Sequence, residues 1–290
     1  MFRGSLVALI TPFRDGKVDA DAFQRFVEWQ IEQGTQGLVP CGTTGESPTL
    51  THDEHKRVVE LCIEAAAGRV PVVAGAGSNS THEAIELTRH AKEAGADGAL
   101  IVAPYYNKPS QEGLYRHFEA IDAAVDLPII VYNIPPRSVV DIGVETMTRI
   151  AALKNVVGVK DATNDLQRPT LEKLAIGDDW CTLSGEDGTS LAYLAQGGVG
   201  CISVTANVAP KLCAMMHDAW AQGAVETAQR LNERLMPLHS AMFCEPSPAP
   251  AKFGASLLGH GTPGVRLPMA PASQVAQTRV REAMSGCGLL

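Results

Sequence analysis

Residues 70–107 read VPVVAGAGSNSTHEAIELTRHAKEAGADGALIVAPYYN, and this stretch holds one complete structural repeat. Val70–Ala74 is a short apolar run. Ser80 with Glu83 forms a capping-box pair that starts a helix, and Gly95 falls where that helix should stop. Ala99–Val102 is the next apolar run. Strand, helix and strand within about 30 residues make a βαβ unit.

The same unit recurs on both sides. The apolar runs are Leu6–Ile10, Gly37–Val39, Val70–Ala74, Ala99–Val102, Ile129–Tyr132, Val156–Val159, Cys181–Leu183 and Cys201–Val204, with starts about 20 to 34 residues apart, close to the βαβ repeat. They are apolar throughout rather than alternating, which suits parallel strands buried on both faces. Between them, Val58, Leu61, Cys62 and Ala65 line one helix face at i, i+3, i+4, i+7. Thr51 with Glu54 is a second capping box, and Gly34 and Gly68 are further helix stops. Eight such repeats predict a (β/α)8 TIM barrel, an α/β fold, over residues 1–223. A doubly wound sheet is the competing arrangement, but the nearest dinucleotide-type turn, Gly75-Ala-Gly77, lacks the third glycine.

Beyond Val208 the strand signal stops. Val208–Gln222, Ala224–Met242, Ala251–Leu258 and Ser273–Met284 read as helices, interrupted at Pro246, Pro248 and Pro250 and again at Pro263, Pro268 and Pro271. Residues 224–290 are therefore expected to form a C-terminal helical region packed on the barrel.

Composition narrows the function. Of 290 residues, 45% are hydrophobic, too many for a disordered chain. The net charge is −8, and no run of Lys and Arg interrupts it, which argues against nucleic acid and anionic membrane as partners. The seven cysteines include no C-x-x-C pair and sit largely in apolar runs, as reduced thiols do in a reducing compartment. Leu6–Ile10 is too short for a signal sequence, and no apolar run nears the ~20 residues that span a bilayer. The expectation is a soluble, cytoplasmic protein.

In a barrel, catalytic groups sit at the C-terminal ends of strands. Lys160 ends the run Val156-Val-Gly-Val-Lys160, the one lysine of nine so placed. Desolvation there disfavours an ammonium, and a neutral amine attacks carbonyls to form a Schiff base. The alternative is a structural ion pair with Asp161 or another carboxylate. Tyr132 closes the preceding run and would reach the same mouth, where a phenol can relay protons. The loop after it carries Arg137, a fork suited to a carboxylate or else a surface residue. Gly42-Thr43-Thr44-Gly45-Glu46 reads as a turn with converging N–H groups that could bind an anion, or as a simple threonine-capped turn. Tyr105 and Tyr106 follow the Ala99–Val102 run and fit rim packing, a subunit interface or catalysis. No metal is expected: His52 and His55 form no H-E-x-x-H pattern. The absence of G-x-S-x-G argues against a serine hydrolase.

Taken together, Gly42-Thr-Thr-Gly-Glu46, Pro104-Tyr-Tyr-Asn107, Tyr132-Asn-Ile-Pro-Pro-Arg137 and Gly158-Val-Lys160 resemble the pyruvate-dependent Schiff-base lyases of the N-acetylneuraminate lyase superfamily, and within it the dihydrodipicolinate synthase family. The likeness extends from Phe2 to Leu290 through Ser203-Val-Thr-Ala-Asn207, Arg234-Leu-Met-Pro-Leu238, Glu245-Pro-Ser-Pro248 and Arg266-Leu-Pro-Met269. It implies condensation of pyruvate with aspartate 4-semialdehyde, the committed step toward diaminopimelate and lysine, with no metal or organic cofactor. Lys160 is then the imine-forming residue and Tyr132 the proton donor and acceptor. Thr43 relays protons between Tyr132 and Tyr106, and Tyr106 reaches into a neighbouring subunit. Thr44 binds the pyruvate carboxylate, Arg137 anchors the semialdehyde and Ile202 lies near pyruvate. The resemblance also implies a homotetramer built as a dimer of dimers, and inhibition by L-lysine at Ser47, Pro48, His52, His55, Asn79, Glu83 and Tyr105. The same residues leave the alternatives that Glu83 only caps its helix and that both histidines are solvated. Ser138 stands where the family commonly has Thr, and Pro48 occupies a variable position of the lysine site. A sister aldolase using another aldehyde and a catalytically silent sensor are the competing functions. Arg137 argues against the first, and the full set Lys160, Tyr132, Thr43 and Tyr106 against the second.

Overall fold

Each of the eight apolar runs becomes a strand in the computed structural model, which describes residues 2–290. The strands are β1 (Gly4–Ala8), β2 (Gly37–Val39), β3 (Val73–Gly75), β4 (Gly98–Val102), β5 (Ile129–Asn133), β6 (Val156–Asp161), β7 (Cys181–Ser184) and β8 (Gly200–Ser203). They hydrogen-bond in the order β2-β1-β8-β7-β6-β5-β4-β3. A parallel bridge between Leu38 and Val72 returns β2 to the chain entering β3. This is a nearly closed (β/α)8 barrel. The strand residues are buried on both faces, as the unbroken apolar runs require.

The chain divides into two compact units, one centred on Val73–Ile202 and the other made of Gly4–Val72 and Ser203–Leu290. The first carries helices α3 (Thr81–Ala94), α4 (Gln111–Ala124), α5 (Val144–Ala151), α6 (Arg168–Ile176) and α7 (Ser190–Ala195). Ser80 caps α3 by accepting from the Glu83 N–H, and Gly95 ends it in the left-handed region at φ 94°. Leu114, Phe118 and Ile121 repeat at helical spacing on the buried face of α4. Burying each such side chain stabilises the fold by roughly 1.5–3 kcal/mol.

The second unit carries α1 (Ala20–Glu32), α2 (His52–Ala66), α8 (Pro210–Ala221), α9 (Val225–Met242), α10 (Ala249–Leu257) and α11 (Gln274–Gly286). The α2 capping box forms in full: Thr51 accepts from the Glu54 N–H, and Glu54 accepts from the Thr51 N–H. Its face of Val58, Leu61, Cys62 and Ala65 is buried. Ser273 caps α11 by accepting from Ala276 N–H. Asn207 clamps the end of β1, its Oδ1 accepting from Ile10 N–H at 3.0 Å and its Nδ2 donating to Ala8 O at 2.8 Å. The C-terminal helices fall where their periodicity places them, within two residues at most boundaries. No described helix is long and apolar enough to cross a membrane.

Candidate active site

Lys160 lies in β6 and is in parallel register with Tyr132 of β5. Register partners on adjacent strands project to the same face. The Lys160 Nζ accordingly sits 4.2 Å from the centre of the Tyr132 ring. Both side chains are buried, at 5% and 6% exposure. The strand runs one residue past the lysine, through Asp161.

That extra residue has its own partners. Successive strand residues point to opposite faces, so Asp161 turns away from the lysine. Its Oδ1 accepts from the Thr163 N–H at 2.8 Å, and its Oδ2 lies 3.4 Å from the Arg168 Nε. The buried Arg168 also donates to Ile142 O at 2.7 Å and to Glu172 at 3.1 Å, and Glu172 accepts from the Trp180 indole at 3.0 Å. Burial raises the carboxyls of Asp161 and Glu172, opposed by these hydrogen bonds and by the Arg168 charge. The Asp161 carboxylate thus pairs with Arg168, on the far side of the strand from Lys160.

Arg137 lies on the short helical turn Pro135–Ser138 that follows β5, and it is exposed. Ser138 beside it is fully buried, its hydroxyl donating to Ile134 O at 2.9 Å and lying 2.9 Å from Val140 O. That hydroxyl staples the loop. Glu186, which follows β7, was not found from sequence. Burial and neighbouring Asp187 raise its carboxyl, while Lys160 and Arg137 pull it down. One half-buried acid thus feels both cations. Nothing in its local pattern marks it, because a Glu in a Gly-Glu-Asp-Gly loop reads as a solvated turn. Ile202 is fully buried in β8.

Tyr106 is 86% exposed and takes a left-handed backbone at φ 72°. A bulky residue held there is strained by about 1–3 kcal/mol, a cost that concentrates at functional positions. The turn is fixed by the Asn107 N–H donating to Tyr105 O at 2.9 Å, by Asn79 donating to the same carbonyl at 3.1 Å, and by Asn107 donating to Asn79 O at 2.9 Å. Asn79 and Tyr105 are therefore neighbours. The Glu83 carboxylate meets the Ser78 hydroxyl.

In the other unit, the Gly42–Glu46 loop follows β2. Its own hydrogen bonds use the N–H groups of Gly45 (to Gly42 O, 3.1 Å), Glu46 (to Thr43 O, 3.1 Å) and Ser47 (to Gly42 O, 3.4 Å). The N–H groups of Thr43 and Thr44 enter none of these bonds. Thr44 is buried and Thr43 half-buried. Ser47 and Pro48 form a 3-10 turn, Pro48 exposed, and His52 is exposed at the start of α2. His55, one turn on, is buried at 5% exposure, so the solvated alternative fails for it.

Residues 1–286 match the Dihydrodipicolinate synthetase family. The chain is 64% identical over its whole length to the 4-hydroxy-tetrahydrodipicolinate synthase of Rhodospirillum centenum, and covers all of that protein. Among solved structures it is similar to the chloride-inhibited dihydrodipicolinate synthase of Acinetobacter baumannii in complex with pyruvate, at 43% identity, full coverage of both chains and a TM-score of 0.97. It is also similar to the enzyme of Cyanidioschyzon merolae with lysine bound, at 38% identity and a TM-score of 0.97, covering 100% of this chain and 99% of that one.

Proposed function

The chain belongs to the dihydrodipicolinate synthetase family, a family of lyases, and from that premise we propose that it condenses pyruvate with L-aspartate 4-semialdehyde through a Schiff base on Lys160. The observation that carries this reading is the Lys160–Tyr132 pair: a buried amine beside a phenol and turned away from Asp161.

The Lys160 amine attacks the ketone carbon of pyruvate, and the carbinolamine loses water as Tyr132 passes it a proton. The protonated imine is an electron sink, so a methyl proton leaves and an enamine forms. The enamine carbon attacks the aldehyde carbon, whose oxygen takes up a proton. The amine of the new chain then displaces Lys160, closes the ring and returns the free lysine. No metal or organic cofactor is called for. Thr44 and the uncommitted N–H groups of its turn hold the pyruvate carboxylate. Arg137 holds the carboxylate of the semialdehyde, Ile202 supplies an apolar wall, and Thr43 passes protons between Tyr132 and Tyr106. The exposure of Tyr106 fits service to a neighbouring copy's site, which makes the working form at least a dimer and, by family pattern, a homotetramer.

L-lysine inhibits at a second site formed by Ser47, Pro48, His52, His55, Asn79, Glu83 and Tyr105. The lysine bound in the Cyanidioschyzon relative supports this. Tyr105 adjoins Tyr106, which gives the coupling a short route. A soluble biosynthetic enzyme of this kind works in the cytoplasm.

Turnover of pyruvate with aspartate semialdehyde, assayed with and without millimolar L-lysine, tests the reading. Turnover that lysine suppresses supports both sites. Turnover blind to lysine removes the second site. An inert enzyme that still traps pyruvate moves the chain to a sister aldolase.

A further inference from the structure

Lys252 is the second deeply buried lysine, with no exposed surface, and the proposed chemistry does not use it. It lies on α10 and its Nζ sits 2.6 Å from the Glu46 Oε1. A buried ion pair stabilises a fold little more than apolar packing would, whereas losing one partner is costly. Such a pair is better understood by what it holds in place.

It holds the last residue of the Thr43–Thr44 turn. Glu46 takes a left-handed backbone at φ 57°. Its N–H donates to Thr43 O, and its carbonyl accepts from the Thr49 N–H at 2.9 Å and Thr49 hydroxyl at 3.1 Å. Its carboxylate is gripped from two sides, by Lys252 and by the Arg266 backbone N–H at 2.9 Å. The Phe13 ring backs the grip, with the Lys252 Nζ 4.0 Å and the Arg266 guanidinium 4.3 Å from its centre. Burial lowers Lys252, opposed by the charge and hydrogen bond of Glu46.

We propose that Lys252 is a positioning residue for pyruvate binding, acting through Glu46 to fix the turn that presents the Thr43 and Thr44 N–H groups. This rests on the reading of that turn as the pyruvate-carboxylate site. A shift of Glu46 moves Thr43 O, its hydrogen-bond partner, and so the donors beside it. The amine at Lys160 is untouched.

The test is pyruvate kinetics on Lys252→Met, on Glu46→Gln and on the double variant, each checked for folding by circular dichroism. Lys252→Met should raise the pyruvate KM about tenfold while kcat stays within about threefold, the pattern of lost ground-state binding. Glu46→Gln should do the same, and it carries the test if Lys252→Met does not fold. The double variant should be no worse than the poorer single variant, because both act through one contact. A folded variant with a lower melting point and an unchanged pyruvate KM overturns the proposal, as do additive effects. Borohydride trapping of pyruvate runs alongside. An adduct on Lys160 in wild type and variants, with KM unchanged, sinks only the role of Lys252. No adduct in wild type sinks the reading of the site itself and this proposal with it.

Discussion

The Lys160 amine lies 4.2 Å from the centre of the Tyr132 ring, and attack of an amine on a ketone needs a proton for the departing water. Tyr132→Phe keeps the ring and removes the proton. It should lower kcat by about 10²–10³, in the range of lost general acid–base catalysis, with pyruvate still trapped slowly. Steady-state kinetics beside the trapping yield checks this. Tyr106→Phe should also cut turnover sharply while the oligomer persists by light scattering, and near-normal turnover would remove it from the relay. The position of Lys160 near the end of an apolar strand was legible, though position alone left its role open between imine chemistry and an ion pair. Glu186 and Lys252 were not. Each gains its meaning from groups far along the chain: Glu186 from Lys160 and Arg137, Lys252 from Glu46 at a separation of 206 residues.

At the scale of elements, strands and helices followed period and caps. Thr51–Glu54 is a clear case, and it also shows where local reading ends. Glu54 does more than cap: both its oxygens accept from Arg266, at 2.6 and 2.7 Å, and this holds its carboxyl down at about 2 against an ordinary 4.5. A depressed carboxyl stabilises the fold above its unfolded value and loses that contribution as pH falls through its folded one. Glu54→Gln should therefore lower the melting temperature at pH 7, and its gap to wild type should narrow between about pH 4.5 and 2. A gap constant with pH would contradict the assignment. The Phe13–Arg14 and Lys17–Val18 hairpin escaped sequence reading, since two-residue strands show no periodicity. So did the left-handed end of α2, taken by Ala67 at φ 48° ahead of the expected Gly68. The residue-level roles came largely through resemblance, because a turn such as Gly42–Glu46 carries little meaning alone.

Across the whole molecule, six of the seven cysteines are buried and only Cys244 is half-exposed. Burial alone pushes the Cys41 thiol well up, which suits a packing residue and not a reactive one. A thiol reagent should label Cys244 first in the native protein, with the others reacting only on unfolding; early labelling of Cys41 would contradict the packing described. The large exposure of Tyr106 belongs to the same scale. If that side chain completes a neighbour's site, specific activity should fall on dilution in step with dissociation measured by sedimentation. Constant activity in a dissociated monomer would separate Tyr106 from catalysis.

Trapping with pyruvate and borohydride, followed by peptide mass mapping, reads the Schiff base on Lys160 itself. One reduced pyruvate adduct per chain is expected, on the peptide holding Lys160, and none when pyruvate is omitted. An adduct on any other lysine, or no adduct from an enzyme that turns over, would contradict that assignment.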